Sequence, residues 1–201
     1  TIDRTRPVMV TGANGYVASW LVKRLLDDGL TVHAAVRNPN DEKKIAHLKE
    51  AAAKSSGQIK FFAGDLLKPG SYKAAMEGCE LVYHTASPFT TTVKDPQKEL
   101  IDPAVKGTEN VLRSATEVDS VKRVVVTSSC AAIYGDAIDT VNAPGGKLTE
   151  EIWNTTSSLE YQPYSFSKTL AEKKAWELAK SQDKWDLVTV NMSLVMGPAL
   201  N

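Results

Sequence analysis

The fold is decided by the stretch Val8-Met9-Val10-Thr11-Gly12-Ala13-Asn14-Gly15-Tyr16-Val17-Ala18. It predicts a short apolar strand, a glycine-rich turn and the start of a helix. Gly12 permits a tight turn, Gly15 lets backbone approach a pyrophosphate closely, and Ala18 lets the helix pack on the strand. The helix start adds unpaired N–H groups and the positive end of a dipole. A lone glycine pattern also fits a plain tight turn, so the rest of the chain must supply the context.

Strand and helix patterns alternate along the rest of the chain. The strands are short apolar runs without polar alternation, as expected when helices cover both faces of a sheet. Repeated strand–helix–strand units indicate parallel strands. We therefore predict a Rossmann-like, doubly wound parallel sheet with helices on both faces. The predicted strands are 8–11, 31–36, 58–63, 81–84, 123–128 and 187–192, and the helices are 16–28, 41–54, 70–77, 96–117 and 162–181.

Two segments depart from this regular alternation. Pro103 falls inside the predicted helix 96–117, where a proline is tolerated only at a kink or near a helix start. Residues 135–154 carry Pro144, Gly145 and Gly146, which predict an irregular loop.

Composition excludes several classes of protein. The 201 residues carry 24 Lys plus Arg against 24 Asp plus Glu, so no net charge points to nucleic acid or to an anionic membrane. Two cysteines give neither a disulfide framework nor a metal-ligand cluster. Residues 1–7 lack an apolar signal core, and no apolar run reaches the length of a spanning helix. The sequence predicts one cytoplasmic domain that binds neither membrane nor nucleic acid and holds no metal.

The second predicted strand ends at Val36-Arg37, the position that faces the adenosine ribose in a dinucleotide fold. A carboxylate there would bind the 2′-hydroxyl, whereas an arginine accommodates a 2′-phosphate. Lys43 or Lys44 would add a second positive charge. The placement favours NADP(H) over NAD(H), and the alternative is that Arg37 is only a solvated residue at a strand end.

Tyr164 and Lys168 are four residues apart on a predicted helix, so both side chains share one face. A nearby ammonium favours tyrosinate and is expected to lower the pKa of Tyr164, which would then exchange a proton near neutral pH. Taken alone, such a pair is also common at protein surfaces. The fifth strand ends at Ser128-Ser129, where a hydroxyl would reach the ligand crevice or only turn the chain.

Several stretches together resemble the extended short-chain dehydrogenases/reductases. The shared features are the glycine-rich turn, the Thr127-Ser128-Ser129 strand end and Tyr164-Ser165-Phe166-Ser167-Lys168. Finer matches resemble the subgroup of dihydroflavonol reductases, cinnamoyl-CoA reductases and fungal aldehyde and methylglyoxal reductases. The fungal members match best, through the stretches 84–89 and 151–154. The finer matches are His84-Thr85-Ala86-Ser87-Pro88-Phe89, Pro103-Ala104-Val105-Lys106-Gly107-Thr108, Arg123-Val124-Val125-Val126-Thr127-Ser128-Ser129 and Ala171-Glu172-Lys173-Lys174-Ala175-Trp176-Glu177.

The resemblance implies a role for each matching position. Tyr164 would donate a proton, Lys168 would hold the nicotinamide ribose and lower the pKa of Tyr164, and Ser129, rather than Ser128, would polarise a carbonyl. The implied cofactor-binding residues are Gly12, Asn14, Gly15 and Tyr16 at the pyrophosphate, Arg37 and Lys44 at the 2′-phosphate, Asp65 and Leu66 at the adenine, and Thr85, Ala86, Ser87, Tyr164 and Lys168 at the ribose and nicotinamide. Met192 stands where the family often carries a proline, which puts the nicotinamide-side contacts in doubt.

The implied function is NADPH-dependent reduction of an aldehyde or ketone to an alcohol, with a small-molecule carbonyl substrate. The family carries a C-terminal substrate-binding part that this chain largely lacks, so residues 1–201 are expected to form an NADP-binding Rossmann domain with the tyrosine–lysine helix. Substrate determinants would lie in residues 89–93, 131–136 and 135–154. The resemblance also allows a homodimer, in which the helices 96–117 and 162–181 would pair between subunits. Two alternatives remain: an NAD-dependent nucleotide-sugar epimerase or dehydratase, and a non-catalytic NADP-binding regulator.

Overall fold

The computed structural model describes residues 2–88 and 93–200. Six parallel strands form one sheet in the order β3-β2-β1-β4-β5-β6. This is the order of a dinucleotide-binding doubly wound sheet, so the predicted fold class is confirmed. The strands are β1 (Val8–Thr11), β2 (Thr31–Val36), β3 (Gln58–Ala63), β4 (Leu81–His84), β5 (Arg123–Ser129) and β6 (Asp186–Met192).

Helices cover both faces of the sheet, and each face has its own apolar core. On one face, α1 and α2 pack over β1 and β2 through residues such as Val10, Leu26 and Leu48. On the other face, α3, α4 and α6 bury Met9, Val124 and their neighbours. Alternate residues of a strand point to opposite faces, which is why Met9 and Val10 belong to different cores. The helices are α1 (Tyr16–Asp27), α2 (Glu42–Ala53), α3 (Lys73–Met76), α4 (Asp102–Glu117), α5 (Asp139–Asn142) and α6 (Pro163–Lys180).

The predicted helix 96–117 is divided in two. A π-helical turn, Gln97–Ile101, leads into α4, and Pro103 lies in the first turn of α4. Proline lacks an N–H group and is tolerated in the first turn, where that group would have no intrahelical partner. The expectation that Pro103 lies near a helix start is therefore confirmed, and the boundary is later than the sequence pattern indicated.

The strand order reverses between β1 and β4, which lie side by side although β2 and β3 separate them in sequence. Loops that follow these two strands leave in opposite directions, so a crevice opens at their carboxyl ends. The segments after β1, β4 and β5 all reach this edge of the sheet. Residues 135–154 lie beyond β5 and contain only two short helical turns, α5 and Pro144–Gly146, as their composition predicts.

Candidate active site

The glycine-rich turn joins β1 to α1 at the crevice. Gly12 has φ +60°, a left-handed conformation that disfavours other residues, and a Cβ there would lie 3.0 Å from the Cβ of Ala86. The turn therefore packs directly against the segment after β4. Gly15 is the N-cap of α1 and has no side chain to cap it, so the first N–H groups of the helix face the crevice.

Thr11 ties the ends of β1 and β4 together, a role that the sequence analysis did not assign. Its Oγ1 accepts the backbone N–H groups of Thr85 and Ala86, each at 3.0 Å, and lies 2.9 Å from Nδ1 of His84. A hydroxyl has one proton, so Thr11 donates it to Nδ1 of His84. Burial lowers the pKa of His84 to about 3, with the Lys168 charge acting in the same direction, so the imidazole is neutral.

The side chain of Tyr16 contacts the segment after β6. Its hydroxyl donates to the carbonyl of Gly197 at 2.7 Å, and Trp20 Nε1, one helical turn later, donates to the carbonyl of Pro198 at 2.9 Å. The segment after β6 is thus held on α1.

Residues after β2 and β3 meet at the same edge of the sheet. Burial raises the pKa of the Tyr72 hydroxyl, the Asp65 charge adds to the rise and the Arg37 charge opposes it, so both charges lie near that buried ring. Arg37 itself is exposed. The Lys44 ammonium lies 3.5 Å from the Asp41 carboxylate in the first turn of α2.

The segment after β3 rests on α4. A Cβ on Gly107 would lie 2.8 Å from Cδ2 of Leu66, so the Leu66 side chain packs directly on the helix backbone. Asn110, also on α4, donates through Nδ2 to the carbonyls of Asp65, Leu66 and Lys68. Both contacts fix the backbone of residues 65–68 beside the crevice.

The two serines at the end of β5 face opposite sides of the sheet. Ser128 is buried, and its hydroxyl donates to Oε2 of Glu172. Ser129 is half-buried, and its Oγ accepts the N–H of Ala131 at 3.1 Å. A hydrogen bond also links Ser129 to Tyr164. The geometry therefore brings Ser129, and not Ser128, to the tyrosine.

Tyr164 and Lys168 share one face of α6, as their spacing predicts. Nζ of Lys168 lies 5.9 Å from the centroid of the Tyr164 ring and donates to Oγ of Ser87 at 3.0 Å. Lys168 is buried, and burial lowers its pKa to about 8 against a smaller opposing effect of the Glu172 charge. Ser87, which is distant in sequence, thus meets Tyr164 and Lys168 at the crevice.

The expected lowering of the Tyr164 pKa by Lys168 is wrong for this structure. Burial raises the pKa of Tyr164, and the Cys130 charge adds to the rise, whereas the hydrogen bond from Ser129 lowers it by less. Removing water disfavours the charged phenolate, and this is the largest effect on the Tyr164 pKa. Tyr164 consequently keeps its proton at neutral pH.

Gln162, the N-cap of α6, is another residue that the sequence analysis missed. It adopts a left-handed conformation with φ +55°, alone in this among the non-glycine residues that the structure describes. Its Nε2 donates to Asp136 Oδ1 at 2.9 Å, and the Tyr161 hydroxyl donates to Oδ2 of the same carboxylate at 2.7 Å. Asp136 thus fixes the entry to the helix that carries Tyr164.

Remaining candidate groups have structural partners or fall outside the described residues. His33 contacts the carbonyl of Ala75 at 2.9 Å, and His47 lies 2.9 Å from Oγ of Ser19. Within residues 2–88 and 93–200, His, Cys, Asp and Glu form no group that could hold a metal, and no helix could cross a membrane. Of the predicted substrate determinants at 89–93, residues 89–92 lie outside the described part of the chain.

Burial of Lys168 predicts a pH-dependent cost in stability. The unfolded pKa is near 10.5 and the folded pKa about 8, so the unfolded chain binds more protons between these values. Stability should therefore rise with pH across this window, by about 2–3 kcal/mol from this group. Denaturant unfolding of wild type and Lys168→Met from pH 7.5 to 10.5 measures it, because other groups cancel in the difference. A difference in unfolding free energy that is constant with pH would contradict the assigned pKa.

Sequence comparison matches residues 8–201 to the NAD dependent epimerase/dehydratase family. The chain belongs to this family. The resemblance to the extended short-chain dehydrogenases/reductases is therefore confirmed at the level of the family. The UDP-glucose-4-epimerase of Stenotrophomonas maltophila shares the fold alone, at 19% identity and a TM-score of 0.72.

Two relatives show which members of the epimerase/dehydratase family the chain is similar to. A cinnamoyl-CoA reductase of Medicago truncatula is 48% identical over 198 residues, covering 96% of this chain and 59% of that protein. The yeast methylglyoxal/isovaleraldehyde reductase, solved with NADPH, is 31% identical with a TM-score of 0.81, covering 96% of this chain and 59% of that one. The chain thus spans less than two thirds of each relative's length.

These relatives confirm the resemblance to a subgroup of named reductases. The plant cinnamoyl-CoA reductase, at 48% identity, is more similar in sequence than the yeast enzyme, at 31%. Plant and fungal reductases are thus both among the relatives, as the resemblance implied.

Proposed function

We propose that this chain is the NADP-binding Rossmann domain, with the tyrosine–lysine helix, of a reductase that converts an aldehyde or ketone to an alcohol. The observation that carries the proposal is the convergence of the Gly12 turn, Arg37, Ser129, Tyr164 and Lys168 on one edge of the sheet. The named activities of the relatives, all reductases of small molecules, support the same reaction class.

The residues at the crevice fit NADPH. Gly12 packs so closely on Ala86 that a larger residue at position 12 would collide with it, which keeps the turn tight at the crevice. The first turn of α1 supplies N–H groups for a pyrophosphate. Arg37 suits the 2′-phosphate because its planar guanidinium binds phosphate in a bidentate manner. Ser87 and Lys168 lie within hydrogen-bonding distance of each other and would hold the nicotinamide ribose.

Further residues complete the proposed cofactor site. Asn14 and Tyr16 would contribute backbone at the glycine turn, Lys44 would add charge near Arg37, and Asp65 and Leu66 would contact the adenine. Thr85 and Ala86 would line the ribose, since Thr11 holds their backbone at the strand end. The bound cofactor would supply the hydride.

Proton transfer then falls to three side chains. The raised pKa of Tyr164 leaves a proton on the phenol at neutral pH, which is the state that a proton donor needs. Ser129 would hydrogen-bond the carbonyl oxygen as negative charge builds there. Lys168 would stabilise the tyrosinate left after transfer. Oxidation of the alcohol needs the tyrosinate at the start, so the reverse reaction should require alkaline pH.

Selection of the substrate would involve residues 89–93, residues 131–136 and the 135–154 loop. It would also involve the part of the relatives' sequences that this chain does not cover. Pairing of α4 and α6 with a second subunit would give a homodimer. The substrate determinants and the homodimer are both proposed from the family resemblance.

Titration with NADPH and NADH, followed by fluorescence, tests the proposal. We expect wild type to bind NADPH more tightly than NADH. Arg37→Gln should weaken NADPH binding about 10–100-fold, because a charge-assisted contact contributes about 1.5–3 kcal/mol, and should leave NADH binding unchanged. Arg24→Gln is the matched control, since Arg24 is exposed on α1 and pairs with Asp28.

The other outcomes are equally informative. Equal binding of the two cofactors would remove Arg37 as a selector and favour an NAD-dependent epimerase or dehydratase. Binding of NADPH without turnover of any carbonyl compound would favour a regulatory protein. If a chain shown by circular dichroism to be folded bound neither cofactor, the proposed function would be wrong.

A further inference from the structure

Glu172 is a buried carboxylate that the proposed reaction does not use. Only 4% of its surface is exposed, and it lies one helical turn after Lys168 on α6. Burying a carboxylate is costly unless it is hydrogen-bonded, so its partners indicate what holds it there.

Three donors from three elements converge on the Glu172 carboxylate. Ser128, at the end of β5, donates its hydroxyl to Oε2. Asn191 on β6 donates Nδ2 to the same oxygen at 2.8 Å, and Trp176 on α6 donates Nε1 to the other oxygen at 3.3 Å. The carboxylate therefore joins α6 to the carboxyl ends of the two strands beside it.

The arrangement also places a negative charge beneath Lys168. Residues i and i+4 share a helix face, and the Glu172 charge opposes the effect of burial on the Lys168 ammonium. Both side chains are almost completely shielded from water, where charge interactions are strong. All three donors to Glu172 are neutral groups, so none of them balances the negative charge of the carboxylate.

We propose that Glu172 is a positioning residue that keeps Lys168 a cation and fixes the Ser128–Ser129 strand end beside it. The inference rests on the proposed function for its importance in catalysis. The predicted effect of Glu172 on the charge of Lys168 does not depend on the proposed function, because that charge can be measured without cofactor or substrate.

Other titratable groups face Lys168 from the surrounding elements. From β4, His84 is neutral and buried, and from the turn after β5, Cys130 lies near Tyr164. Of the charged groups on the π-helical turn and α4, Lys98 pairs with Asp95, and Asp102 pairs with Lys106, at the surface. The outer groove between α4 and α6 also holds three charged residues of α6, which are Lys173, Lys174 and Glu177. Glu172 is thus the buried acid next to Lys168 among the described residues.

Glu172→Gln removes the charge and keeps the shape. A glutamine oxygen in the place of Oε2 can still accept the Ser128 hydroxyl and Nδ2 of Asn191. Its NH₂ group then takes the place of Oε1 and loses only the 3.3 Å contact with Nε1 of Trp176. The variant therefore keeps two of the three hydrogen bonds and should fold.

The experiment is a pH titration of the full chain carrying ¹³C-labelled lysine, in which the Cε resonance reports ionisation of Nζ. The Lys168 signal is assigned by its loss in Lys168→Met. We expect a midpoint of about 8 in wild type. In Glu172→Gln the midpoint should fall by about 1–2 pH units, since an opposite charge at close range has an effect of this size. The alkaline limb of kcat/KM against pH should shift down by the same amount.

Glu80→Gln is the matched control. Glu80 is also a buried carboxylate, but it lies before β4 at the opposite edge of the sheet and is paired with Lys122. Its replacement should leave the Lys168 midpoint unchanged. Glu172→Asp, which retains the charge, should restore most of the wild-type midpoint.

A second measurement on wild type does not depend on any variant folding. With ¹³C-labelled glutamate, the Glu172 Cδ resonance should show an inflection at the Lys168 midpoint, because the two charges are coupled. An unchanged Lys168 midpoint in Glu172→Gln, an equal shift in Glu80→Gln, or a Glu172 resonance without that inflection would each overturn the proposal. Failure of NADPH binding alone would overturn the proposed function and leave these results standing.

Discussion

Tyr164→Phe is expected to lower kcat for carbonyl reduction by about 10²–10⁴-fold, the usual contribution of a general acid, or about 3–5 kcal/mol of barrier. The substitution removes only the hydroxyl that hydrogen-bonds Ser129. Lys168 and Ser87 keep their contact, so NADPH binding should be retained. Steady-state kinetics and a cofactor titration on the full-length protein carrying this chain separate the two effects.

Tyr83→Phe provides the control for this substitution. Tyr83 lies in the middle of β4, paired with Val10 and partly buried against the α1–α2 core, so it is remote from Ser129. The same loss of a hydroxyl there should leave kcat unchanged. Full turnover by Tyr164→Phe, or an equal loss in Tyr83→Phe, would exclude Tyr164 as the proton donor.

Acidification is expected to destabilise the chain through His84. Its pKa is about 3 when folded and near 6.5 when unfolded, so the unfolded state binds more protons between these values and stability falls as pH decreases. Between pH 7 and 5 the loss from this residue should be about 2 kcal/mol. The cause is burial, which disfavours the charged imidazolium, and the nearby Lys168 charge acts in the same direction.

His84→Asn tests this assignment, because the amide oxygen can accept the Thr11 hydroxyl and does not titrate. The variant should be less stable near pH 7, where the smaller side chain leaves space, and its unfolding free energy should depend less on pH between 7 and 5. His47→Gln is the comparison, since His47 is less buried and should change the slope by less. An unaltered slope in His84→Asn would show that His84 protonates freely in the folded chain.

Much of the fold follows from the sequence because strands, turns and helices depend on residues that are close together in the chain. Short apolar runs of four to six residues predicted every strand, since strands buried on both faces need no polar alternation. The glycines of the β1–α1 turn are required by backbone conformation at that point, as the positive φ of Gly12 shows. The spacing of Tyr164 and Lys168 needed only helical periodicity to place both on one face.

Tertiary structure alone decided the chemistry of the site, because it depends on contacts between residues far apart in the chain. Ser128 and Ser129 are adjacent in sequence, and only the packing of α6 on β5 shows that Glu172 binds the first and leaves the second to Tyr164. The pKa of Tyr164 rises, against the prediction from its lysine neighbour, because burial outweighs an ammonium that contacts Ser87 instead. The spacing of residues in the sequence predicts which groups lie close together along a helix. The burial of each group and the direction of each hydrogen bond are set by the folded chain.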